Sequence, residues 1–244
     1  SYCIIPFARG PLRSKPHDEV FKEVKKILSL GYKEIVLAGI HTGGYRDNDF
    51  TFSDLVSSLV LFDGLLRLRI SSMEITQIDE KFLTLLKNDH LANHLHLPLQ
   101  SGSDGVLKRM NRKYNKQEYL DIINKIREVS PDIAISTDLI VGFPGETEEE
   151  FQETMDFLRL IRYSKIHVFP FSKRDGTKAA LMENQISDLI KSRRVNEVLE
   201  LDADLQYEYA RMFIGKVMKI IPETYKNGYL FGHTSNYLMV KFPG

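Results

Sequence analysis

The sequence predicts an α/β fold: a partial (β/α)6 TIM-like barrel followed by an incomplete small β-barrel module. Three observations carry that prediction. Short apolar runs alternate with stretches of helical period from residue 2 to about residue 170, the pattern of parallel βαβ units. Capping-box spacings mark where helices begin. After Gly215 the pattern turns to short β-type runs alone. Six βαβ units fall short of the eight that close a TIM barrel, so the barrel is open or partial. A doubly wound sheet is the alternative.

In chain order, strands are expected over residues 2–5 and 34–38, with a helix between them carried by Phe21, Val24 and Leu28. Further strands follow over 66–70, 94–97, 133–141 and 165–169. Tyr119, Ile122, Ile123, Ile126 and Val129 recur at helical spacing, and Asn115 followed by Glu118 starts that helix. Thr147 followed by Glu150 starts the next, with Glu148 and Glu149 favoured by the positive end of its dipole. From Ser187 to about Met212, Leu189, Arg193, Asn196 and Leu199 amid many charges predict one long helix leading away from the barrel. The final β-type runs cover 216–221, 229–231 and 237–242, and Asn227-Gly228 supplies a hairpin turn. The expected domains are therefore 1–210, the barrel, and 211–244, the module.

Hydrophobic residues at 43% and charged residues at 27% of 244 exclude disordered, collagen-like and small disulfide-stapled classes. No run of ~18 apolar residues suggests a membrane span. The single cysteine, Cys3, cannot form an internal disulfide, and together with the lack of a leading basic-apolar segment this points to the cytoplasm. Ser1 in place of Met suggests a piece of something longer. Net charge is zero, yet Arg211, Lys216, Lys219, Lys226 and Lys241 face only Glu223 beyond residue 210. A second basic run, Lys108, Arg109, Arg112, Lys113 and Lys116, encloses no acid. Either run is a solvated face or a polyanion contact.

Functional groups of parallel barrels collect at the C-terminal ends of the strands. The unusual residues fall there: Gly39-Ile40-His41-Thr42-Gly43-Gly44-Tyr45, Pro98-Leu99-Gln100-Ser101-Gly102-Ser103, Gly142-Phe143-Pro144-Gly145-Glu146 and Pro170-Phe171-Ser172-Lys173-Arg174-Asp175-Gly176-Thr177. Glycines let backbone N–H groups approach a carboxylate or phosphate, and four such loops on one rim point to a ligand site. Cys3 has two readings, a small buried hydrophobe or a ligand, and no His or Cys at i±3 completes a metal site around it.

Tyr2-Cys3-Ile4-Ile5-Pro6 with Arg9-Gly10 resembles the end of the C-x3-C-x2-C loop of radical S-adenosylmethionine (SAM) methylthiotransferases. The resemblance continues through His96-Leu97-Pro98-Leu99-Gln100-Ser101-Gly102-Ser103, Arg109-Met110-Asn111-Arg112-Lys113-Tyr114 and Thr137-Asp138-Leu139-Ile140-Val141-Gly142-Phe143-Pro144-Gly145-Glu146-Thr147. Gly232-His233-Thr234-Ser235-Asn236-Tyr237 is similar to part of the RNA-binding TRAM module of the same enzymes. Ser71-Ser72-Met73-Glu74 and His167-Val168-Phe169-Pro170-Phe171-Ser172 are most similar to members acting on threonylcarbamoyladenosine in tRNA. Members acting on isopentenyladenosine in tRNA or on a ribosomal-protein aspartate resemble it less.

The resemblance implies a 4Fe–4S cluster held by three thiolates, with SAM chelated at the fourth iron. By that alignment Ser1 and Tyr2 are spacers, Cys3 is the third ligand, and the chain as given carries one ligand of three and is inactive alone. Tyr2 would put its backbone near the adenine, Gly39 and its loop would bind the SAM amino group, and Gln100 and Ser101 would bond the ribose or carboxylate. Val141, Gly142 and Phe143 would line the adenine pocket. The whole enzyme would carry a second cluster, take electrons from a flavodoxin or ferredoxin, and methylthiolate tRNA without any membrane partner. Lys219, Lys226 and Tyr237 are the expected RNA contacts, phosphate for the lysines and base stacking for the tyrosine. Arg109 and Arg112 are left between the SAM site, tRNA and a solvated helix. The competing function is an RNA-binding adaptor that kept the fold and lost the cluster. An ordinary barrel hydrolase is disfavoured because Asp138 and Glu146 are not spaced as a catalytic pair.

Overall fold

A computed structural model describes residues 2–244, with the backbone alone for Pro6 and Phe7. Ser1, expected as a cluster-loop spacer, lies outside the described residues. The elements run α1 (Ile5–Arg9), α2 (His17–Ser29), β1 (Glu34–Leu37), β2 (Arg46–Asp47), β3 (Phe50–Thr51), α3 (Phe52–Leu59), β4 (Arg67–Ile70), α4 (Glu80–Leu85) and β5 (His94–His96). They continue as α5 (Asp104–Met110), α6 (Lys116–Val129), β6 (Ala134–Val141), α7 (Glu148–Ile161), β7 (Lys165–Pro170), α8 (Asp188–Arg211), β8 (Ile220–Lys226), β9 (Tyr229–Thr234) and β10 (Met239–Pro243).

Five of the six expected barrel strands are present; the first is not. Residues 2–4 are irregular and α1 follows, because Pro6 fits the first turn of a helix, where a missing N–H is no loss, better than a strand interior. The capping signals hold: Asn115 and Glu118 exchange side-chain and backbone bonds at 3.0 and 2.9 Å, and Thr147 with Glu150 forms a full capping box.

The chain divides into two compact units. One comprises residues 2–12, Leu97–Ile123 and Ile135–Met212. Its β6 and β7 pair in parallel from Ser136↔Lys165 to Val141↔Pro170. Residues 97–100 run along β6, with Leu97 N–H donating to Ser136 and Gln100 N–H to Asp138, at 2.8 and 2.9 Å. On α7, Phe151, Met155, Leu158 and Ile161 are buried at helical spacing, each worth about 1.5–3 kcal/mol of transfer free energy.

The expectation that α8 leads away is overturned. It lies along β7, and its inward stripe is Arg194, Val198, Asp202, Leu205 and Tyr209. Asp202 accepts from the Ile166 N–H at 2.6 Å and from Lys165 at 2.5 Å, so a charge on the helix satisfies the start of the strand.

The other unit comprises Arg13–His96, Asn124–Ala134 and Phe213–Gly244. Here β1 and β4 pair in parallel, and β8, β9 and β10 form an antiparallel meander. Asn227 and Gly228 both have positive φ, 51° and 79°, as the expected hairpin turn requires. Among the described residues, no helix is long and apolar enough to cross a membrane.

Candidate functional site

In the first unit, three segments meet around a buried apolar cluster of Val106, Met110, Phe143, Phe171 and Ala179, with Tyr2, Ile140 and Met182 packed on it. The Tyr2 ring stands edge-on to Phe143 at 6.1 Å, and Phe143 edge-on to Phe171 at 5.2 Å. Such T-shaped pairs fix ring orientation as well as burying area. Phe143 is fully buried within this cluster, and Val141 is fully buried outside it, so neither side chain is an open wall. Cys3, next to Tyr2, is exposed.

The loop after β6 is built by its own glutamate. Gly142 and Gly145 adopt φ of +71° and +75°, which turns the chain back so that Glu146 accepts a hydrogen bond from the Gly142 N–H. Arg194 of α8 donates to the same carboxylate at 2.9 Å and to the Glu146 carbonyl at 3.3 Å. Both side chains are buried. Burial pushes the Glu146 carboxyl up to about 7, against the opposing pull of Arg194 and of the Gly142 N–H. Arg109 bonds the Gly145 carbonyl at 3.2 Å and pairs with Glu150, fastening the loop from the other side.

Gln100 is buried with φ +68°, a left-handed backbone held by its N–H to Asp138 and by the Ile140 N–H to its carbonyl, each 2.9 Å. A non-glycine residue in that region is a mark of local strain and is enriched at ligand sites. Ser101 is fully buried, and its hydroxyl meets Thr154 at 3.4 Å and accepts from Ser103 N–H at 3.2 Å. Its hydroxyl is thus engaged with protein partners.

Gly39 and its loop belong to the second unit. Thr42 Oγ1 donates to the Gly39 carbonyl at 3.2 Å, and a Cβ at Gly39 would meet nothing closer than 3.4 Å. Gly43 and Gly44 are crowded instead by Gln77 and His41.

The second unit also holds the expected RNA contacts. Lys219 and Lys226 are exposed. Tyr237 packs against His233, His94 and the Arg69 guanidinium, all within 5 Å of its ring centre, at 4.5, 4.9 and 4.5 Å. The segment around it is docked: Arg67 donates to the His233 carbonyl at 3.0 Å and Asn93 N–H to the Ser235 hydroxyl at 2.9 Å. Glu34 holds Arg67 and Arg69 in turn, at 3.0 and 2.8 Å.

With this geometry in place, the comparisons decide the family. The family model described as the Radical SAM superfamily matches residues 1–158. The chain belongs to the radical SAM superfamily. This radical SAM chain is 46% identical over its whole length to the threonylcarbamoyladenosine tRNA methylthiotransferase MtaB of Bacillus subtilis, covering 56% of that protein. It is 37% identical, again over its whole length, to the MtaB of Thermotoga maritima, covering 57% of it. A tRNA-2-methylthio-N(6)-dimethylallyladenosine synthase of Thermoanaerobacter is 40% identical over 91% of this chain, which covers 48% of that relative. The chain thus spans about half the length of these relatives.

Solved structures share the fold at low identity. Methylornithine synthase PylB superposes with a TM-score of 0.55 at 17% identity, over 85% of this chain and 58% of that one. Streptococcus suis SuiB bound to S-adenosylmethionine gives 0.52 at 16%, over 79% and 41%. The fold is accordingly the TIM-like α/β fold of radical SAM enzymes, for which a 4Fe–4S cluster and SAM are the family's cofactors.

Among the described residues, Cys3 is the one cysteine, and no three His, Cys, Asp or Glu side chains gather to hold a metal. These residues therefore do not complete a three-thiolate set by themselves. Cys3 is exposed and so available as one ligand, while Phe143 is fully buried against the partly buried Tyr2. Sequence reasoning missed Arg194 and the part played by Glu146. The signal was a charge recurring within the spacing of the buried stripe of α8.

Proposed function

We propose that this chain is the radical SAM core of an enzyme that methylthiolates C2 of N6-threonylcarbamoyladenosine in tRNA. One observation carries the reading: the 46% identity to a relative of that name extends over the whole chain. The dimethylallyladenosine (isopentenyladenosine) relatives support a second substrate reading, at 40% identity over 91% of the chain.

In this reading Cys3 is one thiolate ligand of the SAM-binding cluster. The Tyr2 backbone lies near the adenine, Val141, Gly142 and Phe143 line its pocket, and Gly142 is held in place by Glu146. Gln100 and Ser101 bind the ribose or carboxylate, Ser101 through its backbone because its hydroxyl is engaged. Gly39 and its loop bind the SAM amino group. Residues 211–244 are part of a TRAM-like module in which Lys219 and Lys226 contact phosphate. A second cluster, a flavodoxin or ferredoxin as reductant, and a cytoplasmic setting complete the proposal.

The test is mass spectrometry of tRNA nucleosides from cells lacking the gene. Loss of the methylthio group from threonylcarbamoyladenosine is the expected result. Loss from isopentenyladenosine alone transfers the assignment to the second reading, and loss from neither removes both.

A further inference from the structure

Arg112 occupies an unusual position for a residue from a basic, solvent-reading run. Helix α5 ends at Met110 and is capped by Asn111, whose left-handed backbone (φ 62°, ψ 39°) turns the chain so that the Arg112 N–H donates to the Leu107 carbonyl at 2.9 Å. Two residues on, Tyr114 is buried and its hydroxyl donates to the carbonyls of Leu99 and Pro98, at 2.9 and 3.1 Å. The backbone that carries Arg112 is thus fixed to the helix end on one side and to the segment leading into Gln100 on the other.

From that support the guanidinium reaches Tyr2. It donates a hydrogen bond to the Tyr2 hydroxyl and lies 5.7 Å from the Tyr2 ring centre and 5.9 Å from that of Tyr114. A planar guanidinium can bond one phenol and stack near two rings at once, which the point charge of lysine does not reproduce. Tyr2 is therefore held from two directions, by Arg112 at its hydroxyl and by Phe143 against its ring edge. Cys3 is the next residue, exposed, with no regular secondary structure of its own.

We propose that Arg112 is a positioning residue: by clamping Tyr2 it sets the direction of the adjacent Cys3 thiol relative to the Gln100 and Phe143 segments. This rests on the reading of Cys3 as a cluster ligand, and it assigns Arg112 to the SAM site rather than to tRNA.

Because Cys3 is the only cysteine, a nitroxide attached to it reports the clamp with no cofactor loaded. In the wild-type chain the spin label gives an immobilised line shape, and in Arg112→Met a mobile one. Tyr2→Phe, which removes only the acceptor hydroxyl, moves the spectrum the same way and adds little to Arg112→Met. Arg112→Lys restores only part of the immobilisation. In the intact enzyme, Arg112→Met raises the SAM KM about tenfold, the scale of one lost charge-assisted hydrogen bond, with the tRNA KM unchanged. A raised tRNA KM with unchanged SAM KM would overturn the proposal, as would a nitroxide spectrum unmoved by both variants. Absent methylthiolation by the wild-type enzyme would sink the functional reading instead, leaving the clamp to be judged on the nitroxide alone.

Discussion

Arg194, near the start of the long helix α8, donates to the carboxylate of Glu146 at 2.9 Å, and both side chains are buried. The same carboxylate accepts the Gly142 N–H, so one ion pair joins the helix to the loop that closes β6. A buried pair of this kind fixes geometry more than it adds stability, because desolvation offsets much of the attraction. Its consequence here is conformational. The Gly142–Glu146 loop is tied both to itself and to α8.

The pair has a pH signature. Burial raises the Glu146 carboxyl from 4.5 to about 7, so between those values the folded chain holds a proton that the unfolded chain has released. The stability contributed by this group is fully present below pH ~4.5 and is lost as pH rises through about 7. Glu146→Gln, which keeps the neutral shape, is expected to flatten that part of the stability profile in denaturant titrations from pH 4.5 to 8. Arg194→Met strands the carboxylate and is expected to cost about 3–5 kcal/mol above pH 7, and less below it, where Glu146 accepts a proton. Equal losses at pH 5 and pH 8 would show that Glu146 does not titrate in this window.

Gln100 makes a separate prediction through its backbone. At φ +68° a β-branched side chain is strained, whereas glycine is not. Gln100→Val is expected to lower stability by about 1–3 kcal/mol, and Gln100→Gly to leave it within ~1 kcal/mol. If the Gln100 side chain binds SAM, the glycine variant folds normally and loses affinity, which calorimetric titration with SAM reads directly. Wild-type affinity in that variant removes Gln100 from the site.

Strands within the barrel were legible because apolar runs bounded by turn residues have one good use, burial in a parallel sheet. The loops at their ends were legible because Gly and Pro cluster there. What failed had local physics that competes with periodicity. Residues 2–5 carry the apolar run of a strand, but Pro6 favours the helix that begins there. The charges of α8 suggest a solvated helix, yet Arg194 and Asp202 point inward, because a carboxylate and a strand N–H await them. Partners so distant in sequence leave no periodic trace. Tyr237 likewise packs on His94 and Arg69, partners far earlier in the chain that no local pattern announces, while it stays 51% exposed.

Two glycines separate packing from ligand approach. A Cβ at Gly102 would sit 2.8 Å from the Thr154 Cα and 3.0 Å from the Phe157 Cβ, so α7 leaves it no room. Gly102→Ala is expected to cost about 1–3 kcal/mol by overpacking. A Cβ at Gly39 meets its nearest neighbour, Thr42 Oγ1, at 3.4 Å, an ordinary contact. Gly39→Ala should therefore melt like the wild type. If the Gly39 loop binds the SAM amino group through close backbone approach, that variant nonetheless loses SAM affinity. A variant that keeps both stability and affinity leaves Gly39 as a turn residue only.

The exposed lysines and the docked tyrosine make opposite claims about RNA. Lys219 and Lys226 are exposed, and each phosphate they neutralise releases counterions when tRNA binds. Changing both to Ala is expected to weaken tRNA binding whatever the sequence and to reduce the salt slope by about 1.4–1.8, from ~0.7–0.9 per phosphate contact. Tyr237 packs on His94, His233 and Arg69 although it is half exposed, and its backbone sits at φ +66°. Tyr237→Asn keeps a residue tolerant of that backbone while deleting the ring, so its main effect is a lower melting temperature, with the salt slope of tRNA binding unchanged. Affinity should fall only as far as the folded fraction does. A Tyr237→Asn protein that melts like the wild type but binds tRNA ten times more weakly would restore the ring to a base-stacking role. A lysine double variant with unchanged slope would place the phosphate contacts elsewhere in the chain.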